Sequence, residues 1–223
     1  MKAEIRRMLD TIDEEAMYTA SYTGRKQFSR QVMKAMAEVD RRDFVPEDEQ
    51  TFAYDNGPLP IGCGQTISQP YIVALMTDML DLTDESIVLE VGTGSGYQAA
   101  ILSRLAKKVY TVEKIPELSD AASRRLQSLG YKNVETHCSD GSAGWEEKGP
   151  FDAVIVTAAA PYIPQALIDQ LKPGGRMMIP VGMPYSHQEL MLIEKNQDGT
   201  TETTSILAVA FVPLVMEKPP VTH

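Results

Sequence analysis

The stretch VLEVGTGSGY at positions 88–97 constrains this chain more than any other part of it. An apolar run from Ile87 to Val91 enters three glycines at alternate positions, Gly92, Gly94 and Gly96, and an apolar segment of helical spacing follows. A strand that turns sharply through glycines into a helix opens an α/β sheet, and the carboxyl end of that strand is where such sheets bind ligands. The rest of the chain keeps this rhythm. Segments 109–113, 134–138, 153–157 and 176–181 read as short buried strands. Helices are expected over 96–106, 116–129 and 164–171, the last closed by Lys172-Pro-Gly-Gly. Such alternation predicts a parallel sheet with helices on both faces. Two further strands, 189–194 and 205–212, have only the turn around Gly199 between them and should form an antiparallel hairpin.

The first 60 residues have a different pattern. Phe28, Val32, Ala35, Met36 and Val39 fall on one helical stripe, which Pro46 interrupts. Residues 54–65, YDNGPLPIGCGQ, read as an ordered loop. Ile72, Leu75, Met76, Met79 and Leu80 then define a core-facing helix over 70–81, with Pro70 in its first turn. The expected organisation is a helical extension and loop over 1–60, packed on a main domain over 61–223.

Charge and composition remove whole classes of function. The 223 residues hold 21 Lys and Arg against 31 Asp and Glu, a net charge of −10. That balance opposes a surface that grips nucleic-acid phosphates or an anionic membrane. No apolar run approaches the ~18 residues of a membrane span. The N-terminal MKAEIRRMLDTIDEE carries charges where a signal peptide needs an apolar core. Cys63 and Cys138 make no CxxC pair, and His137, His187 and His223 lack ligand spacing, so neither a disulfide framework nor a metal site is expected. The expectation is a cytoplasmic monomer with no nucleic-acid or membrane partner.

The glycine turn departs from the dinucleotide fingerprint, whose third glycine would fall where Tyr97 stands. Glu90 sets a carboxylate two residues before Gly92, which favours a cationic ligand over a pyrophosphate. Glu113 ends the second strand about twenty residues beyond Gly92, the place from which a carboxylate takes ribose hydroxyls. Asp140 and Gly141 follow the third strand and are placed for an adenine edge. An adenosyl ligand without phosphates fits these residues, and S-adenosylmethionine is the leading candidate, with a nicotinamide cofactor as runner-up. Trp145 reads either as a shield for adenine or as a loop anchor, and Ser68 as a cap for the helix that begins near Pro70.

The same residues carry a family resemblance. VLEVGTGSGY, DAVIVTAAAP (152–161) and LKPGGRMMIPVG (171–182) resemble the class I methyltransferase set. LPIGCGQTISQP (59–70) resembles the segment that distinguishes protein-L-isoaspartate O-methyltransferases. FVP (44–46), PQALIDQLKPGG (164–175), Gln188 ahead of Leu190, and FVPL (211–214) match that family in order. The resemblance implies a Rossmann-like, seven-stranded, mostly parallel sheet with helices on both faces. It implies transfer of a methyl group from S-adenosylmethionine to the free α-carboxylate of L-isoaspartyl residues in damaged proteins, with D-aspartyl residues slower. The ester then collapses unaided to a succinimide, whose hydrolysis restores some normal aspartate. Ser68 carries over as the active-site serine, with Thr66, Ile67 and Gln188 as substrate contacts. Glu90, Gly92, Gly94, Gly96, Glu113, Asp140 and Gly141 carry over as cofactor contacts.

Three alternatives stay open at this point. An O-methyltransferase of a small-molecule carboxylate would share every cofactor residue. A nucleic-acid methyltransferase is opposed by the net charge and by TAAAP (157–161) where an Asn/Asp-Pro-Pro motif would stand. A non-catalytic isoaspartyl-binding adaptor would be expected to lose Glu90, Glu113 and Asp140, which are all present.

Overall fold

The computed structural model describes residues 2–183 and 186–215, so His223 lies outside the described residues. Helix α1 (Ala3–Thr23) buries one stripe, Ile5, Met8, Ile12, Ala16, Thr19 and Thr23, at the three- and four-residue spacing of a helix face. It stops at Gly24, in the left-handed region at φ 68°. Helix α2 (Arg30–Glu38) starts where the Ser29 hydroxyl accepts the Val32 N–H at 3.3 Å. Every member of the stripe expected from Phe28 to Val39 is buried.

Residues 54–65 are not a plain loop. Leu59–Gly62 (β1) pairs antiparallel with Gln65–Ile67 (β2). The connecting Cys63 and Gly64 both have positive φ, 52° and 70°, as a tight two-residue hairpin turn requires. Helix α3 (Pro70–Met79) carries Pro70 at its start and is buried on all sides, wedged against α1 and α2.

The main sheet comprises β3 (Ile87–Val91), β4 (Lys108–Glu113), β5 (Val134–Cys138), β6 (Phe151–Val156), β7 (Leu171–Gly182), β8 (Gln188–Lys195) and β9 (Thr201–Val209). Their spatial order is β5-β4-β3-β6-β7-β8-β9. Strands β3 to β7 are parallel, and β8 runs antiparallel to both neighbours. The chain leaves β3 toward β4 and β5, then returns to its other side as β6, which opens a crevice above the carboxyl ends of β3, β4 and β6. Helices α4 (Tyr97–Leu102), α5 (Pro116–Ser128) and α6 (Gln165–Asp169) are connections within this sheet. Strand residues alternate between two cores: Val88, Val109, Ala153 and Ile155 join the core of α1–α3, while Leu89, Val91, Val154 and Val156 join the core on the opposite face.

Two expectations change. The helix expected over 164–171 ends at Asp169, and Leu171 already pairs with Phe151. Lys172-Pro-Gly-Gly is an excursion at the start of β7, because the next pairing joins Ala153 to Arg176. The Lys172 ammonium ties it down on Asp152 at 2.8 Å. The expected antiparallel hairpin of the last two strands is present as β8 and β9, and β7 is also antiparallel to β8, because the five residues between β7 and β8 are too few for a parallel crossover. Among the described residues no helix is long and apolar enough to cross a membrane.

Candidate active site

The glycine turn is bound at both ends. The Gly92 N–H reaches the Val112 carbonyl at 2.8 Å, and the Thr157 hydroxyl at the end of β6 donates to the Gly92 carbonyl at 2.5 Å. Gly92 has φ 96°, and a Cβ there would stand 2.5 Å from Thr157 Oγ1, so both conformation and space demand glycine. Glu113 bends back over the turn. Its Oε2 accepts the Gly94 N–H at 2.9 Å and its Oε1 the Ile115 N–H at 3.0 Å. Gly96 opens α4 at φ 87°, with Leu126 of α5 directly above it.

Glu90 differs from Glu113 in being sealed. Strand alternation puts it on the face of Val88, beneath the helical layer, and its solvent exposure is 0%. Register sets it beside Thr111 of β4, whose hydroxyl donates to Oε2 at 2.6 Å, with the Thr93 hydroxyl 2.6 Å from that of Thr111. Oε1 has no partner. Burial, reinforced by the Glu113 charge and opposed by the Thr111 hydrogen bond, pushes the Glu90 carboxyl up to about 8. The expected acid at the turn is therefore present, but enclosed, and Thr93 and Thr111 are contributors that sequence reading missed. A threonine inside an otherwise apolar strand was the available signal.

Asp140 follows β5 as expected, but its Oδ1 caps the short turn Gly141–Ala143 by accepting the Ser142 N–H at 2.9 Å and the Ser142 hydroxyl at 2.7 Å. Gly141, whose Cβ would lie 2.4 Å from Val91, reaches the crevice beside Glu113 and Ile115. Trp145 is a loop anchor: it stacks on His137 at 4.5 Å and meets Tyr110 edge-on.

Beside this crevice lies a larger cleft of about 530 Å³. Its walls come from α1 (Glu15, Thr19), from the hairpin and the start of α3 (Thr66, Ser68, Tyr71), and from the end of β9 through Phe211. A 2.6 Å hydrogen bond between the Thr19 and Tyr71 hydroxyls joins two of those walls. Thr66, Ser68 and Thr157 line both the cleft and the crevice around Glu90, with Ile67 on the crevice side. Helix α3 is capped at Gln69 with no side-chain bond, so Ser68 is not its cap. Among the described residues the Ser68 hydroxyl has no hydrogen-bond partner.

Gln188 is a correction. It is buried, its Oε1 accepts the Phe211 N–H at 2.6 Å and its amide nitrogen donates to the Phe211 carbonyl at 3.1 Å. It fixes the wall of the cleft and does not extend into it.

Comparison with known proteins bears on this arrangement. The sequence matches the protein-L-isoaspartate(D-aspartate) O-methyltransferase family over residues 13–219. It is 56% identical over 209 residues to protein-L-isoaspartate O-methyltransferase 2 of Nitrosococcus oceani, covering 94% of this chain and 95% of that one. It is 54% identical over 211 residues to the protein of the same description from a Polaromonas species, covering 95% and 100%. A solved protein-L-isoaspartate O-methyltransferase superposes with a TM-score of 0.82 at 27% identity, covering 94% of this chain and 65% of the other. A Plasmodium falciparum structure in complex with S-adenosyl-L-homocysteine shares the fold, with a TM-score of 0.78 at 24% identity, covering 94% and 97%. The glycine turn, the acids around it and the family match across most of the chain agree: this chain belongs to the protein-L-isoaspartate(D-aspartate) O-methyltransferase family.

Proposed function

We propose that this repair methyltransferase divides its work between the two adjoining compartments, with the glycine crevice taking S-adenosylmethionine and the Ser68 cleft the isoaspartyl residue. The observation that carries the reading is Ser68 itself, whose hydroxyl has no hydrogen-bond partner among the described residues and which lines both the cleft and the part of the crevice around Glu90. The crevice suits the cofactor: Gly92, Gly94 and Gly96 bring backbone close, Glu113 and Gly141 flank the ribose and adenine positions, and Glu90 Oε1 is a buried oxygen without a hydrogen-bond partner among the described residues. Asp140 acts there through the turn it caps. Bound in the crevice, the cofactor supplies an electrophilic methyl group on a cationic sulfonium.

The chain's own residues then have three tasks. Ser68 donates a hydrogen bond to one carboxylate oxygen of the isoaspartyl group and leaves the other free to attack. Thr66 and Ile67 shape the site on either side of the attack line, and Thr157 fixes β6 against the turn so that the two ligands meet. The walls from α1, Tyr71 and Phe211 exclude water. A carboxylate is already ionised at neutral pH, so no general base is needed. Orientation and proximity, worth ~7–11 kcal/mol in favourable cases, carry the rate. We also infer that the working form is a cytoplasmic monomer without a nucleic-acid partner, the last supported by the net charge of −10.

The test is methyl transfer from labelled cofactor to an isoaspartyl peptide and to its aspartyl twin, by the parent, Ser68→Thr and Ser68→Ala. The expected result is transfer to the isoaspartyl peptide alone, partly retained with threonine and lost with alanine. Equal rates on a free small-molecule carboxylate would support the other substrate class.

A further inference from the structure

The α1 wall of the substrate cleft, Glu15 and Thr19, borders the outer flank of that helix. Tyr18 and Tyr22 are among the most exposed large side chains in the described residues, at 84% and 72%. They stand four residues apart, so their rings occupy one face of the helix. That face is the cleft side. Tyr18 follows Glu15 by three residues and Tyr22 follows Thr19 by three, and Glu15 and Thr19 both line the cleft. At about 100° per residue Tyr22 stands about 20° and Tyr18 about 60° from Glu15, both on the side away from Thr19, whereas exposed Met17 falls about 160° away.

We propose that Tyr18 and Tyr22 form an aromatic platform that binds a bulky apolar side chain of the substrate polypeptide close in sequence to the isoaspartyl residue. The occupant follows from adjacency to the cleft: a residue whose carboxylate reaches Ser68 must leave along a polypeptide, and these rings are the three-residue neighbours of Glu15 and Thr19, the α1 residues that line the cleft. Tyrosine gives a large apolar contact area with few rotatable bonds to immobilise, and its hydroxyl remains solvated. An extended chain places side chains of one face about 6.6 Å apart, and four helical residues rise about 6 Å, so the two rings match the spacing of an extended substrate's side chains near the modified position. The consequence is selectivity for unfolded segments. In a folded protein a bulky apolar neighbour is buried in its own core and unavailable, whereas in a damaged, extended segment it is exposed and adds affinity.

This inference rests on the assignment of the Ser68 cleft to the substrate. The experiment uses the full chain and isoaspartyl peptides identical except for phenylalanine or glycine two residues from the isoaspartyl position, on either side. The Tyr18→Ala/Tyr22→Ala double variant should raise KM about tenfold for the phenylalanine peptide, with kcat unchanged and the glycine peptide unaffected. Tyr18→Phe/Tyr22→Phe should behave as the parent. Equal shifts for both peptides, or no shift for either, would overturn the platform. Ser68→Ala assayed alongside separates the two readings. Normal turnover in that variant removes the underlying assignment, whereas lost turnover with flank-independent tyrosine effects removes the platform alone.

Discussion

The two compartments meet at Thr66, Ser68 and Thr157, yet they are built in opposite ways. In the glycine crevice most polar groups are already engaged, Glu90 Oε1 excepted: Glu113 holds two backbone amides, Thr111 holds Glu90 Oε2, and Thr157 holds the Gly92 carbonyl. At the cleft the hydroxyl of Ser68 holds no hydrogen-bond partner among the described residues. The difference matches the ligands. A cofactor that is the same in every turnover is best met by a preorganised frame, because fixed dipoles need no rearrangement when it binds. A substrate presented by many different polypeptides is better met by one free donor in a wide cleft with adaptable walls.

Breaking the frame should have the largest effect. Gly92→Ala forces a Cβ to 2.5 Å from Thr157 Oγ1 at φ 96°. It should cost more than about 2 kcal/mol of stability and weaken cofactor binding roughly a hundredfold by calorimetry. Parent-like affinity would mean that the turn tolerates a side chain and is not a frame.

The buried acid gives a smaller effect with a defined sign. The Glu90 carboxyl is raised from its ordinary 4.5 to about 8, so between those values the folded chain keeps a proton that the unfolded chain has released. Folding stability from this group therefore falls as pH rises through that window. Glu90→Gln removes the dependence, and its Tm relative to the parent should improve by about 5 °C between pH 5 and pH 8.5. A Tm difference flat across that range would contradict an enclosed, protonated Glu90.

Loosening a cleft wall should matter least. Gln188→Ala removes two hydrogen bonds to Phe211. It should raise KM for an isoaspartyl peptide by about three- to tenfold, with cofactor affinity and kcat little changed. A fall in kcat without a change in KM would place Gln188 in the chemistry instead.

These contrasts were unevenly legible in the sequence. Strand Ile87–Val91 and the turn after it could be read to the residue, because apolar alternation and glycine spacing report the same backbone. The hairpin Leu59–Ile67 was hidden by its turn, where Cys63 adopts a positive φ that its side chain does not advertise. The acid at position 90 was readable, but not its enclosure, which depends on strand parity and on the residues of α3 and α4 that pack over it, such as Val73, Tyr97 and Gln98. Gln188 looked like a ligand because a polar residue near a cleft carries no mark of which way its amide is spent. Cleft walls from α1 and β9 lie far apart in sequence and are joined only by the fold, so local pattern could not bring Glu15 or Phe211 to Ser68.

The most direct test of the division between frame and free donor is Ser68→Ala, followed by isoaspartyl-peptide turnover and cofactor calorimetry on the same preparation. The account predicts that kcat falls about a hundredfold while the cofactor Kd stays within about twofold of the parent. Near-normal turnover, or a loss of cofactor affinity that parallels the loss of rate, would contradict it.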